Sequence, residues 1–253
     1  MVKIEVQSGG VDSIVHEAQP ISPLVLSAFH ALTQGLDTRE SMCSIFSHIR
    51  DIPYSLVAPA NDAKTPQEQI LIAGKGSSAA KHYLLAEMFR NLNLTVVYAT
   101  FPFLWNDPDL HYSPQLRKLA ATLPVAHHLA CRVRVGCNWI LVEATWDLPL
   151  AKAGFPVNED WDGYSGTKCA VKPLKSPVRT AFCRTATNKP CHGMDEATLT
   201  PVDGEKNHWE KDDRARHCAG KITLRTSDEV EHTRQFSREF SSWLETVQTS
   251  ASL

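Results

Sequence analysis

The sequence predicts an α+β fold in which a central helix packs on an antiparallel sheet. Leu84, Leu85, Met88, Phe89 and Leu92 recur at helical spacing after Ser78, so one face of that segment is an apolar stripe. Downstream, Thr95 to Phe101 is rich in β-branched and aromatic residues. Arg132 to Gly136 and Asn138 to Thr145 read as two further strands joined by a tight turn at Gly136-Cys137. Helices grouped before strands, rather than alternating with them, define the α+β class.

In chain order, Ser22-Pro23-Leu24 opens the first helix, with Ser at the N-cap and Pro at the first helical position, and Gly35 is placed to end it. Met42, Ile45, Phe46 and Ile49 predict a second helix over 38–49, stopped by Pro53. A polar loop, Asn61 to Gln69, then leads to Gly74 and Gly76 before the central helix. Near the end, Thr226 with Glu229 resembles a capping box, and Val230, Phe236, Phe240, Trp243 and Val247 mark an amphipathic helix. The chain reads as a single domain over 1–253, with a core at about 38–165 and a C-terminal extension at about 166–253. Within the extension, residues 163–194 carry six Lys or Arg and no acid, whereas 195–213 carry seven acids and two bases. Such blocks pair with each other, or form a surface for a charged substrate or partner.

Composition narrows the function classes. The chain has 253 residues and 43% hydrophobic content, as expected of a soluble globular protein. Its apolar runs, such as Leu24 to Leu32, are too short and interrupted to span a bilayer, and the N-terminus lacks a signal peptide's apolar run. A cytoplasmic protein is expected. Seven cysteines without regular spacing argue for free thiols rather than a disulfide framework. Cys183, Cys191, His192, His208, His217 and Cys218 lack the spacing of a zinc site, so neither metal nor other cofactor is expected. A net charge of −2 gives no electrostatic case for nucleic acid or an anionic membrane as partner, and the oligomeric state is not indicated. A small-molecule or peptide substrate is the partner expected.

The chemistry-bearing residues are Ser78, His128 and Glu143. A side chain in a helix's first turn faces unpaired backbone N–H groups and the positive end of the helix dipole, which stabilise a thiolate or an oxyanion. The N–H groups of Ser77 and Ser78 are placed to polarise a substrate oxygen. Strand alternation puts His128, Ala130 and Arg132 on one face, and Trp139, Leu141, Glu143 and Thr145 on one face of the next strand. Pairing across Gly136-Cys137 brings His128 and Glu143 together, where the carboxylate orients the ring and stabilises its cation. His127 is the competing base and Asp147 the alternative acid. Trp105, His111 and Tyr112, in the loop after the strand ending near Phe101, and Trp146 and Asp147, after Glu143, are candidates to line a substrate cleft. His82, one turn from Ser78, faces either the site or solvent, as does Lys81.

The run Gly74-Lys-Gly-Ser-Ser78, then His128-Leu-Ala-Cys-Arg-Val133, then Trp139-Ile-Leu-Val-Glu143-Ala-Thr145 resembles the transglutaminase-like branch of the papain-like fold. That family carries a helix-borne Cys, a His in an H-x-x-x-x-V strand and an Asp in a W-x-x-V-D-x-T strand. The resemblance covers about Phe46 to Gly163. It implies acyl transfer through a thioester, as amide hydrolase, protease or amidotransferase, with Ser78 at the thiol's position, His128 at the histidine's and Glu143 at the aspartate's. Serine needs its proton removed during attack, whereas a thiol ionises beforehand. Three readings of Ser78 follow: an engineered replacement of a natural Cys, a natural residue in a site repurposed for noncovalent cyclisation, isomerisation or elimination by His128 and Glu143, or part of an inactive binding module. The altered acid at Glu143 favours natural divergence over engineering.

Overall fold

The computed structural model describes residues 21–56, 65–174 and 227–250. The helices are α1 (Pro23–Thr33), α2 (Thr38–Asp51), α3 (Pro66–Ala73), α4 (Ser78–Asn91), α5 (Pro114–Ala121) and α6 (Ser227–Ser250). The strands are β1 (Val96–Phe103), β2 (Ala126–Val135) and β3 (Asn138–Val142), and a 3-10 helix spans Leu148–Ala153. Helices and a small antiparallel sheet make the mixed architecture that the sequence predicts.

Local chemistry explains where the helices begin. Ser22 Oγ accepts the N–H of Val25 ahead of Pro23, and Asp37 and Glu40 form a reciprocal capping box at the start of α2. At α3 Thr65 Oγ1 accepts the N–H of Glu68 ahead of Pro66, so residues 66–69, expected in the polar loop Asn61 to Gln69, instead begin a helix. Ser113-Pro114 likewise opens α5, in a segment for which the sequence analysis names no element. The expected capping box at Thr226 lies outside the described residues, as do the six candidate zinc ligands and most of the two charge blocks.

The sheet has the order β1-β2-β3, all antiparallel. Phe101 pairs with His128, Ala99 with Ala130, and Val96 with Val133. Cys131 pairs with Val142 and Val135 with Asn138, closing the hairpin at Gly136, whose φ of 59° suits glycine. Relative to the sequence reading, β2 begins earlier, at Ala126, and β3 ends earlier, at Val142. Glu143 therefore stands just beyond the ladder.

Each face of the sheet is covered. Val96, Cys131, Val133 and Val142 join Leu84, Leu85, Met88 and Phe89 of α4 in the main core, with Ile45, Phe46 and Ile49 of α2 behind. On the other side Ala99, Phe101 and Ala130 meet Leu141, Cys169 and Val171, because the segment 167–174 crosses over and bonds through Thr167 N–H to the Leu141 carbonyl (2.9 Å) and Leu174 N–H to the Pro102 carbonyl (2.8 Å).

A second core lies beside the first. Phe236, Phe240 and Leu244 of α6 are buried against Tyr54, Tyr112, Leu116, Trp146, Leu150 and Phe155. α6 thus packs against α5 and the 3-10 helix rather than standing apart from the 38–165 region. Among the described residues no helix is long and apolar enough to cross a membrane.

Candidate active site

Ser77 and Ser78 have different roles at the start of α4. Ser77 is the N-cap, and its Oγ accepts the N–H of Ala80 at 3.4 Å. Ser78 is the first helical residue, half-buried, and its Oγ has no hydrogen-bond partner among the described residues. The turn before it is fixed by Gly76, whose N–H donates to the Pro53 carbonyl and whose carbonyl accepts from Ser55 N–H, both at 3.0 Å. Gly74 ends α3 in the left-handed region at φ 62°.

His128 and Glu143 meet. His128 Nε2 lies 2.6 Å from Glu143 Oε2, with both residues buried, one in β2 opposite Phe101 and the other just after β3. A carboxylate only accepts, so Nε2 carries the proton and Nδ1 is left as the basic nitrogen. Nδ1 has no hydrogen-bond partner among the described residues. The ring stacks at 25° on Phe101, its cross-strand neighbour, and meets the edge of Phe103.

Glu143 has more partners than the sequence reading gave it. Thr145 Oγ1 (2.5 Å) and Thr145 N–H (3.2 Å) both donate to Oε1. His82 Nε2 also lies 3.2 Å from Oε1. Burial pushes the carboxyl's pKa up, but the charges and hydrogen bonds of His128 and His82 outweigh it and hold the group well below the usual carboxylate range. One carboxylate therefore stands between two imidazoles, whose rings meet edge to face at 5.9 Å.

Of the two orientations expected for His82, the structure shows the one toward the site: the residue is fully buried beside Glu143 and His128. Its Nδ1 lies 2.8 Å from the Ser78 carbonyl and its Nε2 3.3 Å from Ala144 N. Lys81, also fully buried, donates to the carbonyls of Arg50 (2.8 Å), Ile52 (2.8 Å) and Thr145 (2.7 Å). Burial pushes its pKa down to about 7, against the opposing pull of Asp147, Asp51 and Glu143.

The remaining predicted residues lie apart from this network. Asp147 is buried and accepts from Tyr54 N–H (2.9 Å) and Gln248 Nε2 (3.1 Å), so it joins α6 to the loop before α3. Burial raises its pKa. Trp146 donates through Nε1 to the Ala170 carbonyl at 2.7 Å and packs on Tyr54 and Phe155. Tyr112 packs edge-on to Phe240 and Trp243, and Trp105 sits against Phe236 and Phe240. His111 is exposed and bonds the Lys152 carbonyl, and His127 is exposed while His128 is buried. Tyr112, Trp105 and Trp146 belong to the second core.

A cavity of about 180 Å³ opens beside that core, walled by Phe103, Trp105, Trp146 and Phe155 and rimmed by Asp107, Asp109 and Lys172. Lys172 bridges the two aspartates across the rim. Phe103 is the wall that also touches the His128 ring. Cys131 is buried, with its S–H aimed at the His82 carbonyl, and burial drives its pKa far up, so it is no nucleophile.

No family model matches the chain, and no curated protein matches it. Among solved structures it is similar to one described as a "putative cysteine protease" from Cytophaga hutchinsonii, at 15% identity and a TM-score of 0.35, over 67% of this chain and 54% of that one. The chain thus spans about half the length of that protein, and at this level the likeness carries over neither fold nor activity.

Proposed function

We propose that the chain is an enzyme acting on an amide, ester or related carbonyl of a small-molecule or peptide substrate, with Ser78 as nucleophile, His128 as general acid and base, and Glu143 as the group that orients it. The observation that carries this reading is the buried 2.6 Å pair of His128 Nε2 and Glu143 Oε2, which leaves Nδ1 basic. Ser78 Oγ attacks the acyl carbon while its proton passes to His128 Nδ1. The tetrahedral oxyanion faces the N–H groups of the first turn of α4. Collapse expels the amine or alcohol, which takes the proton back from His128 and leaves an acyl ester on Ser78. Water then attacks that ester, giving its proton to His128, and the acid departs as Oγ is reprotonated. The net step is hydrolysis; an amine in place of water gives transfer.

A second reading has its own support. Ser78 Oγ and His128 Nδ1 share no hydrogen bond, which supports a reading in which His128 and Glu143 move protons on a substrate without a covalent intermediate. Intact-mass measurement after incubation with p-nitrophenyl acetate separates the two. An acetyl adduct on the wild-type chain, lost in Ser78→Ala, supports the covalent route. Turnover of any carbonyl substrate that survives Ser78→Ala and is lost in His128→Ala supports the noncovalent one. Unchanged ester turnover in His128→Ala removes both.

A further inference from the structure

Among the described residues, His82 is the buried ionisable side chain that touches both the turn carrying Ser78 and the acid that orients His128. The Ser78 carbonyl can only accept, so the 2.8 Å contact assigns a proton to His82 Nδ1. Nε2 then has two competing neighbours at nearly equal distance. It accepts the Ala144 N–H at 3.3 Å when the ring is neutral, or donates to Glu143 Oε1 at 3.2 Å when the ring is a cation. It cannot do both with one proton inventory.

The geometry points to His82 as a positioning residue for the proposed chemistry: it braces the Ser78 turn of α4 against Glu143, and the alternation of its Nε2 between Ala144 and Glu143 couples the charge state of the His128-Glu143 pair to that turn. This deepens the proposed function and rests on it for the roles of Ser78 and His128. Among the described residues, Glu143 just after β3 and His128 of β2 lie against the ring, while Cys131 of β2 bonds the His82 carbonyl and Lys81, the preceding residue of α4, bonds the Thr145 carbonyl. Lys81 directs its donors to three carbonyls and Cys131 its S–H to the His82 carbonyl, which leaves Glu143 and His128 as the polar side chains in contact with the ring. When His128 takes a proton, Glu143 balances that cation, and the neutral His82 returns to Ala144. When His128 is neutral, Glu143 is free to hold a His82 cation.

A variant that cuts one arm of the brace is available. In the same helix Asn91 Nδ2 donates to the carbonyl four residues earlier, Glu87, at 2.9 Å. His82→Asn therefore keeps a donor for the Ser78 carbonyl and loses the reach to Glu143, whereas His82→Ala loses both. Each is placed in a Ser78→Cys background, where the rate of alkylation by iodoacetamide, read by intact mass against pH, reports the environment at position 78 without a substrate. The expected result is a displacement of the alkylation profile by roughly one pH unit in His82→Asn, a tenfold change in rate on its rising limb. Nitrogen-15 spectra of the imidazoles should show His82 protonated at Nδ1 and His128 at Nε2, with the His128 signals moved by His82→Asn. The inference is overturned if His82→Asn leaves both the profile and the His128 signals unchanged while His128→Ala shifts the profile. If His128→Ala leaves it unchanged as well, the functional reading beneath the inference falls. Should His82→Ala fail to fold, His82→Asn still decides.

Discussion

The ammonium group of Lys81 lies 2.7 Å from the carbonyl oxygen of Thr145, and that contact pins α4 to the chain two residues after Glu143. The same nitrogen holds the carbonyls of Arg50 and Ile52 at the end of α2. Three elements meet on one fully buried amine, beside the apolar side chains of the main core.

Replacing Lys81 by Met leaves those three carbonyls without their donor. The expected loss is about 3 kcal/mol or more, since each orphaned buried acceptor costs about 1–3 kcal/mol. The pH dependence has a definite sign. The folded pKa is pushed down to about 7 from an ordinary 10.5, so between those values the unfolded chain binds a proton that the folded chain has shed. The contribution of Lys81 to stability is therefore lowest below pH 7 and rises with pH across that window. Urea denaturation of both proteins at pH 6 and pH 9 checks it: a wild-type advantage that shrinks at the higher pH contradicts burial as the dominant cause.

Lys81 and His82 also show why part of the site was hidden in the sequence. The stripe Leu84, Leu85, Met88 and Phe89 was legible because apolar residues recur at helical spacing, and it did locate the buried face of α4. Counted back by three and four residues, that face includes positions 81 and 82. The sequence leaves their polar side chains undecided between site and solvent because the partners that neutralise them, Glu143 and the carbonyls of Arg50, Ile52 and Thr145, come from distant parts of the chain. The meeting of His128 with Glu143 was accessible from alternation and one tight turn, since pairing is local. α3 and α5 were missed despite Thr65-Pro66 and Ser113-Pro114, because eight-residue helices are too short to show a period.

Substituting Glu143 by Gln keeps the volume but not the acceptor count. One amide oxygen cannot serve two imidazoles and Thr145, and the amide N–H₂ meets donors. Breaking a buried pair of this kind costs about 3–5 kcal/mol, and turnover on any substrate should fall by on the order of a hundredfold or more. The carboxyl is held below its ordinary value of 4.5, so its stabilising contribution is complete above that pH and is lost as the pH falls toward the folded value. Acid titrations of unfolding free energy should be steeper below pH 4.5 in the wild type than in the variant; parallel curves sink the assignment.

The second core makes a separate prediction. Phe240 is fully buried and its ring touches Tyr54, Trp105, Tyr112, Phe155, Phe236 and Trp243. Phe240→Ala should cost about 3–5 kcal/mol. Because Gln248 of the same helix holds Asp147, and Asp147 holds Tyr54 N–H, loosening α6 also frees the segment before α3. A changed near-ultraviolet dichroism of the tryptophans with α-helical signal retained is the expected signature. An unaltered aromatic signal and midpoint place α6 outside the core.

Gly74 and Gly76 flank the turn into Ser78, and they are needed for different reasons. Gly74 is left-handed at φ 62° with open space where a Cβ would stand, so Gly74→Ala costs only the backbone strain, about 1–2 kcal/mol. Gly76 is not left-handed, but a Cβ there falls 2.7 Å from Ile70 Cδ1 and 2.8 Å from Ile70 Cγ1. Gly76→Ala must push α3 away from the turn, at about 1–3 kcal/mol, or displace the strand-like link to Tyr54. Trimming the neighbour separates these effects: Ile70→Val should recover part of the loss in Gly76→Ala and none of the loss in Gly74→Ala, because only the first pair is in contact. Thermal denaturation of the two double variants reads the coupling. Equal recovery in both would mean that the Ser78 turn is set by backbone conformation alone, and that the packing of α3 has no part in placing the candidate nucleophile.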